Sequence, residues 1–485
     1  MVIFTSRLAF ITVFFILISY HNSMPSKQTT GDNWEQALTL SNTDRSRDPI
    51  MVVDSEQTVH VLWIDWREID GEWISDTIYY THKRHGEEHW SAPVDVLLAG
   101  GEGGIEFGRI VQSPKGDLVV AWRDYDSLYV SKVNPQKASD PKAWETSKLL
   151  SGFYPWPDIA IDKNSTVYVA TSENGAIKVF RLDEKLSTII SEHFVAIPGP
   201  DKQFHIPRMF VDKNNILHVV WNEISEETNW EASGVWYARS IDGGESWSNT
   251  LRDPDRGTWI TVIGDESGTL HLVWSHGIWS SSGRWHRIST DGGISWGDPK
   301  KIFNPGPGNG LTGWPQLAFD SNGNLHLVTA VNEILVEGKT EITTIVSTEW
   351  DGSSWSAPES VIDRDVILGG EQVRLAISNG NQLHVTFYSY EVDDAFAIQY
   401  TSSFLDAPEL PSEPIIIDDN ADVINTEALP NVEQVSGRLQ DSSEPLTFEG
   451  QEPENSKGYF PLVVGLGVSV IFIAFVLIIN GRVRR

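Results

Sequence analysis

Residues 239–248 read RSIDGGESWS and residues 288–297 read ISTDGGISWG. Both contain Ser-x-Asp-x-Gly-x-Ser-Trp, and they lie about 50 residues apart, a period that belongs to repeat architectures. Weaker forms stand at TEWDGSSW (348–355) and RHGEEHW (84–90). The chemistry is that of a turn. An Asp side chain can accept the amides of its own loop, Gly admits a positive φ, and a closing Trp can pack between repeated units. The motif therefore reads as a structural staple.

Working outward, seven segments share one pattern: DPIMVVDSEQTVHVLW, GRIVQSPKGDLVVAW, WPDIAIDKNSTVYVA, IPRMFVDKNNILHVVW, WITVIGDESGTLHLVW, WPQLAFDSNGNLHLVT and EQVRLAISNGNQLHVTF. Each is an apolar strand, a polar turn and an alternating strand, which is a hairpin signature. The turn residues are Asp54, Ser113, Asp162, Asp212, Asp265, Asp320 and Ser378, about 50 to 60 residues apart. Most hairpins precede a third, aromatic strand (TIYYTHK, GVWYARS, GRWHRIS) and a fourth beginning at Trp (WSAPVDVLL, WETSKLLS, WSNTL, WGDPKKIF, WSAPESVI). Four strands per unit make a propeller blade. The seventh copy ends at FAIQYTSSF without a fourth strand, while WEQALTLS (34–41) precedes the first hairpin. That strand is expected to complete the last blade and close the ring, since an open ring would leave unpaired edges. The expected fold is all-β, a β-propeller of seven four-stranded blades over residues 32–405.

The remaining sequence bounds the setting. The chain has 485 residues, 40 % hydrophobic, with no Cys, which excludes disulfides and Cys-based metal or nucleophilic sites. A formal net charge of −31 argues against nucleic acid or an anionic membrane face as partner. Residues 1–24 read as a signal peptide, with an uncleaved anchor as the alternative. Residues 406–457 are acidic and rich in Pro and Ser, a disordered stalk by composition. Residues 458–480 read as a transmembrane helix, since the apolar run from Pro461 to Ile479 is close to the roughly 20 residues a bilayer needs. Arg482, Arg484 and Arg485 in the basic tail 481–485 place the C-terminus in the cytoplasm and the propeller outside, on a single-pass protein of the cell membrane.

The Asp turns resemble the Asp-box (BNR) repeats of the sialidase superfamily, and the hairpin pattern extends the likeness across 32–405. The resemblance implies a β-propeller. Sialidases are six-bladed, so six blades is the alternative to the seven counted here. It also implies a site. Sialidases open an early strand with Arg-Ile-Pro, and Arg47-Asp48-Pro49 sits at that place with Asp48 in the Ile position. They use further arginines for the substrate carboxylate and an Asp as acid/base, for which Asp65 or Asp70 would serve. Their nucleophile is a Tyr activated by Glu: Tyr388 or Tyr390, with Glu371 or Glu391. A Tyr–carboxylate pair avoids repulsion at an anionic sugar. Asp boxes also occur in propellers that are not enzymes.

Strand order supplies an independent reading. The hairpin turns and Asp turns share one face, here the turn face, so the loops leading into first strands and leaving second strands form the opposite, top face. Trp66, Trp73, Trp156, Trp230, Trp259, Trp279 and Trp314 all map to the top. Trp156, Trp259 and Trp314 share one repeat position, suited either to packing between blades or to a ligand platform. Two residues on, where alternation repeats the face, stands the column Ile50, Arg109, Asp158, Arg208, Thr261, Gln316 and Arg374. A polar column on innermost strands is costly unless paired or wet. Arg109, Arg208 and Arg374 suggest capture of a carboxylate or similar anion; ion pairs tying blades together are the alternative. His60, His218, His271, His326 and His384 recur with the scaffold and are distributed around the ring, so they read as structural histidines rather than metal ligands. No metal or other cofactor is expected.

Three functions fit. A binding propeller would take an extracellular glycan or other anionic ligand on its top face. An exo-sialidase-type hydrolase would need Arg47, Arg109 and Arg374 to converge with a Tyr–Glu pair. A non-catalytic adhesive surface protein would show a filled channel and exposed apolar rim patches.

Overall fold

The computed structural model describes residues 29–30 and 33–411, apart from 44, 70–71, 99–103, 229–230, 249, 254–256, 277–282, 305–309, 335–340, 367–371 and 391–395. The proposed signal segment, most of the stalk, the apolar run and the basic tail lie outside the described residues. No helix among the described residues is long and apolar enough to cross a membrane. The described chain is almost entirely β, with three short 3-10 turns.

Seven antiparallel sheets form seven blades. Their first strands are Ser46–Val53, Glu106–Gln112, Asp158–Ile161, Lys202–Val211, Gly257–Gly264, Gly310–Phe319 and Arg374–Ser378. Each pairs with the strand that follows it through the expected turn. Ring closure takes the expected form. Leu38–Thr39 pairs with Phe396–Phe404, with Leu38 opposite Tyr400, and flanking bonds from Glu35 and Leu40 extend the seam. Trp34 enters the core between blades six and seven beside Val385 and Phe387. One pairing is not legible in the sequence: Thr29–Thr30 adds a fifth strand to blade six, outside Glu359–Val366.

The Asp turns hold as their chemistry requires. Asp242 accepts the Ser246 amide at 2.9 Å and the Ser240 hydroxyl at 2.7 Å, and Asp291 repeats this with Ser295 and Ser289. These bonds, led by the hydroxyl of the serine four residues on, lower both carboxyls to about 2. Gly293 has φ +82°, and a Cβ there would stand 1.8 Å from the Tyr237 hydroxyl of the preceding blade, so only glycine fits. The closing tryptophans pack on the blade before: Trp90 on Tyr400, Trp144 on Tyr80, Trp296 on Tyr237 and Trp355 on His286, at centroid distances of 4.7, 6.3, 5.0 and 5.3 Å. They precede most fourth strands rather than begin them. Val94, Lys300 and Glu359 each follow a proline, and the ladder starts only beyond a residue that cannot donate. Trp144 has no such proline after it, and its strand begins at Glu145.

The recurrent histidines are partnered within their own blades. His60 lies 3.0 Å from the Asp54 carboxylate and 2.8 Å from the Tyr80 hydroxyl. His384 bridges Ser378 and Tyr400, at 2.7 Å to each. His271 meets His286 at 3.0 Å, and His326 meets Asp320 at 3.2 Å. The rings of His60 and His384 thus link hairpin turn to third strand.

The described chain leaves the ring across the turn face. Leu405 and Leu410 donate their amides to Asn381 and Asn379, and Ser321 donates its hydroxyl to the Pro408 carbonyl.

Candidate functional site

The top of the channel is shaped by a device repeated at the start of the first strands. Pairing registers shift between Arg47 and Ile50, Phe107 and Ile110, His205 and Arg208, Thr258 and Thr261, and Thr312 and Gln316. At the same repeat position Asp48, Trp156, Ile206 and Trp259 hold φ of 53°, 54°, 57° and 52°. A left-handed backbone at a residue with a Cβ costs on the order of 1 kcal/mol or more. Pro49, Pro157 and Pro207 follow three of these residues and bring no amide to satisfy. Strict alternation does not run across these bulges.

Trp156, Trp259 and Trp314 meet one another. Trp314 lies 5.9 Å from Trp156 and 4.6 Å from Trp259. Trp156 belongs to blade three and Trp314 to blade six, so a contact that close requires both rings to reach the channel axis. Trp259 and Trp314 are buried, at 8 % and 4 % exposure, and Trp156 is half-buried, so the three rings pack on one another at the channel axis. The Arg208 guanidinium caps the group 4.4 Å over Trp314. Trp66 is half-buried under Arg47, whereas Trp230 and Trp279 lie outside the described residues.

The polar column divides in two. Asp158 is fully buried between Arg109 at 3.3 Å and Arg208 at 3.9 Å, and it accepts the Met209 amide at 2.8 Å. These contacts tie blades two, three and four, which is the inter-blade pairing considered for these arginines. Arg374 is different. It donates to the Val373 carbonyl at 2.9 Å and to Gln372 Oε1 at 3.0 Å, both in its own lead-in. Among the described residues it forms no ion pair. Burial lowers it to about 9, with the charges of Arg208 and Arg109 acting the same way and Asp48 and Asp158 opposing. Burial likewise lowers Arg208 to about 10 against the pull of Asp158. Burial also raises the Asp48 carboxyl, opposed by Arg47 and Arg374. The centre therefore sets the guanidiniums of Arg109, Arg208 and Arg374, with Arg47 near Asp48, against the carboxylates of Asp48, Asp158 and Glu106. In a chain of net charge −31 this is a local positive site.

Ile50, Thr261 and Gln316 complete the column without charge; Ile50 is buried and Gln316 donates to the Trp314 carbonyl at 3.2 Å. Arg47 stands apart, its guanidinium 3.7 Å over Phe396 and 5.3 Å from Trp66. Asp65 is buried and accepts the Ser46 and Thr43 hydroxyls at 2.6 and 2.7 Å, a strap within blade one. Tyr388 is half-buried, 6.0 Å from Phe396. Tyr390 ends the strand Gln382–Tyr390, while Asp70, Glu371 and Glu391 lie outside the described residues.

Sequence reasoning passed over Glu106 and Arg123. Glu106 accepts Arg123 Nε at 2.7 Å and the Trp156 amide at 3.3 Å, so it fixes the lead-in of blade three from blade two. Neither residue occupies a position shared by the other blades, and a search by repeat could not find them.

No protein-family model matches the chain, and no curated protein matches it by sequence. Solved structures do share its fold. The polysaccharide lyase Uly1 aligns at 9 % identity and TM-score 0.52, covering 77 % of this chain and all of the other. A polysaccharide lyase, an ulvan lyase bound to -[GlcA(1-4)Rha3S]-, aligns at 11 % identity and TM-score 0.50, covering 79 % and 98 %. The NanB sialidase from Streptococcus pneumoniae aligns at 11 % identity and TM-score 0.42, covering 77 % and 71 %. The two lyase alignments show a shared fold alone, and the chemistry has to be read from this chain's own residues.

Proposed function

We propose that the propeller binds an anionic glycan, one carrying a carboxylate on its sugar rings, at the top of its channel. The observation that carries this reading is Arg374: a half-buried guanidinium without an ion pair among the described residues, within reach of the charges of Arg208 and Arg109. Burying an unmatched charge is costly, and a ligand carboxylate would offset that cost by bidentate pairing. Arg109, 37 % exposed and paired with Asp158 at 3.3 Å, is the second contact. The glucuronate in the ligand of the ulvan lyase neighbour supports the class. The proposed setting is the cell surface, with the propeller held outside by the apolar segment 458–480.

A panel of immobilised glycans tests the proposal. Binding to uronate-bearing chains that disappears on carboxyl reduction is expected; equal binding to the reduced chains, or none to either, would overturn it. A fluorogenic sialoside in the same series separates the hydrolase reading, which requires turnover.

A further inference from the structure

The geometry points to a second sugar subsite on the top of blades two and three, where Tyr125 and Phe153 form an aromatic platform for a neighbouring unit of the same glycan chain. This inference rests on the reading of Arg374 as the carboxylate anchor, and it makes the ligand an extended chain rather than a terminal sugar.

Tyr125 and Phe153 are 53 % and 47 % exposed. These two are held in place by the loops that carry them, and those loops are joined to each other. Tyr125 sits in the turn between the second and third strands of blade two. That turn is fixed from within: the Asp124 amide bonds to the Ser127 carbonyl, the Asp126 amide to Asp124, and the Tyr129 hydroxyl to the Asp124 carboxylate. Phe153 lies in the loop into blade three, and the Gly152 amide joins the two loops through the Asp126 carbonyl at 2.6 Å. The Arg123 guanidinium covers Phe153 at 4.5 Å and is itself held by Glu106 and by the Asp124 carbonyl.

The platform is joined to the charged centre through a relay of contacts. Glu106 fixes Arg123 under Phe153 and also holds the Trp156 amide, two residues before Asp158. Asp158 in turn carries Arg109. One short chain of contacts therefore leads from the aromatic rim to the arginines. Pyranose rings present an apolar C–H face that an aromatic ring can cover, while their charged groups reach polar anchors nearby.

Titration calorimetry on the full chain with a uronate disaccharide and a uronate hexasaccharide tests this. Phe153→Ala and Tyr125→Ala are each expected to weaken the hexasaccharide about ten-fold, the worth of roughly 1.4 kcal/mol, and to leave the disaccharide unchanged. Phe153→Tyr should retain wild-type binding, which separates loss of the ring from damage to the loop. If both alanine variants bind the hexasaccharide like wild type while Arg374→Ala loses both ligands, the platform is overturned and the anchor stands. Equal losses on both ligands in Phe153→Ala would also overturn a separate subsite. A wild-type protein that binds neither ligand overturns anchor and platform together.

Discussion

Arg374 and Arg208 occupy the same place in their repeats, and from the sequence they are interchangeable. What separates them is the buried Asp158 one blade away from Arg208, a relation set by how neighbouring blades abut and not by spacing along the chain. Opposite stability effects follow. Arg208→Ala removes a cation stacked on Trp314 and an ion pair, and it is expected to cost about 2–3 kcal/mol. Arg374→Ala removes a desolvated cation with no paired carboxylate among the described residues, so it should leave the unfolding midpoint unchanged or raise it, as expected where binding opposes stability. Denaturant titrations of the two variants check this; a loss at Arg374 as large as that at Arg208 would make it a structural arginine. The column itself was legible because it recurs seven times. Glu106, Arg123, Tyr125 and Phe153 were not, because each belongs to one blade only.

Most blades are stapled by a closing Trp, and five of the seven also by a histidine of the second strand. Trp296→Ala would empty a slot between blades four and five, with an expected cost of about 3 kcal/mol, and Trp296→Phe should recover part of it. Thermal unfolding measures both. The histidines set a pH dependence. Burial lowers His271 to about 4 and His286 and His384 to about 3, so the folded protein keeps them neutral where the unfolded chain protonates them near 6.5. Their contribution is therefore complete above about pH 6.5 and is lost as pH falls toward 4. The Asp turns, lowered to about 2, lose theirs only below the ordinary carboxylate range. Denaturant midpoints should fall between pH 6.5 and 4.5, and less steeply in His384→Gln; a flat profile over that window would contradict the neutral histidines. The hairpin and histidine positions were readable from period alone. The tyrosine partners were not, since they stand on a third strand whose register the sequence does not number. The prolines ahead of three fourth strands are visible in the sequence, but where pairing starts beyond them is set by the ladder.

Closure makes seven blades one molecule. Leu38–Thr39 joins the chain's beginning to its last blade, so removing residues 1–41 should expose an unpaired edge and give a chain that associates on gel filtration and unfolds non-cooperatively. Removing residues 1–32 takes away, among the described residues, the outer strand of blade six and should leave the ring intact. The closing strand could be inferred because one blade lacked a strand and one strand lacked a blade; the added fifth strand answered no such deficit. Across the whole molecule the contrast that matters is charge: an acidic protein with three converging guanidiniums at the top of its channel. The measurement that tests this most directly is calorimetric titration of the wild type and of Arg374→Ala with an oligouronate and with its carboxyl-reduced counterpart. The account predicts binding of the oligouronate by the wild type alone, weakened by added salt, and no binding of the reduced chain by either. Unchanged affinity in Arg374→Ala, or equal affinity for the reduced chain, would contradict it.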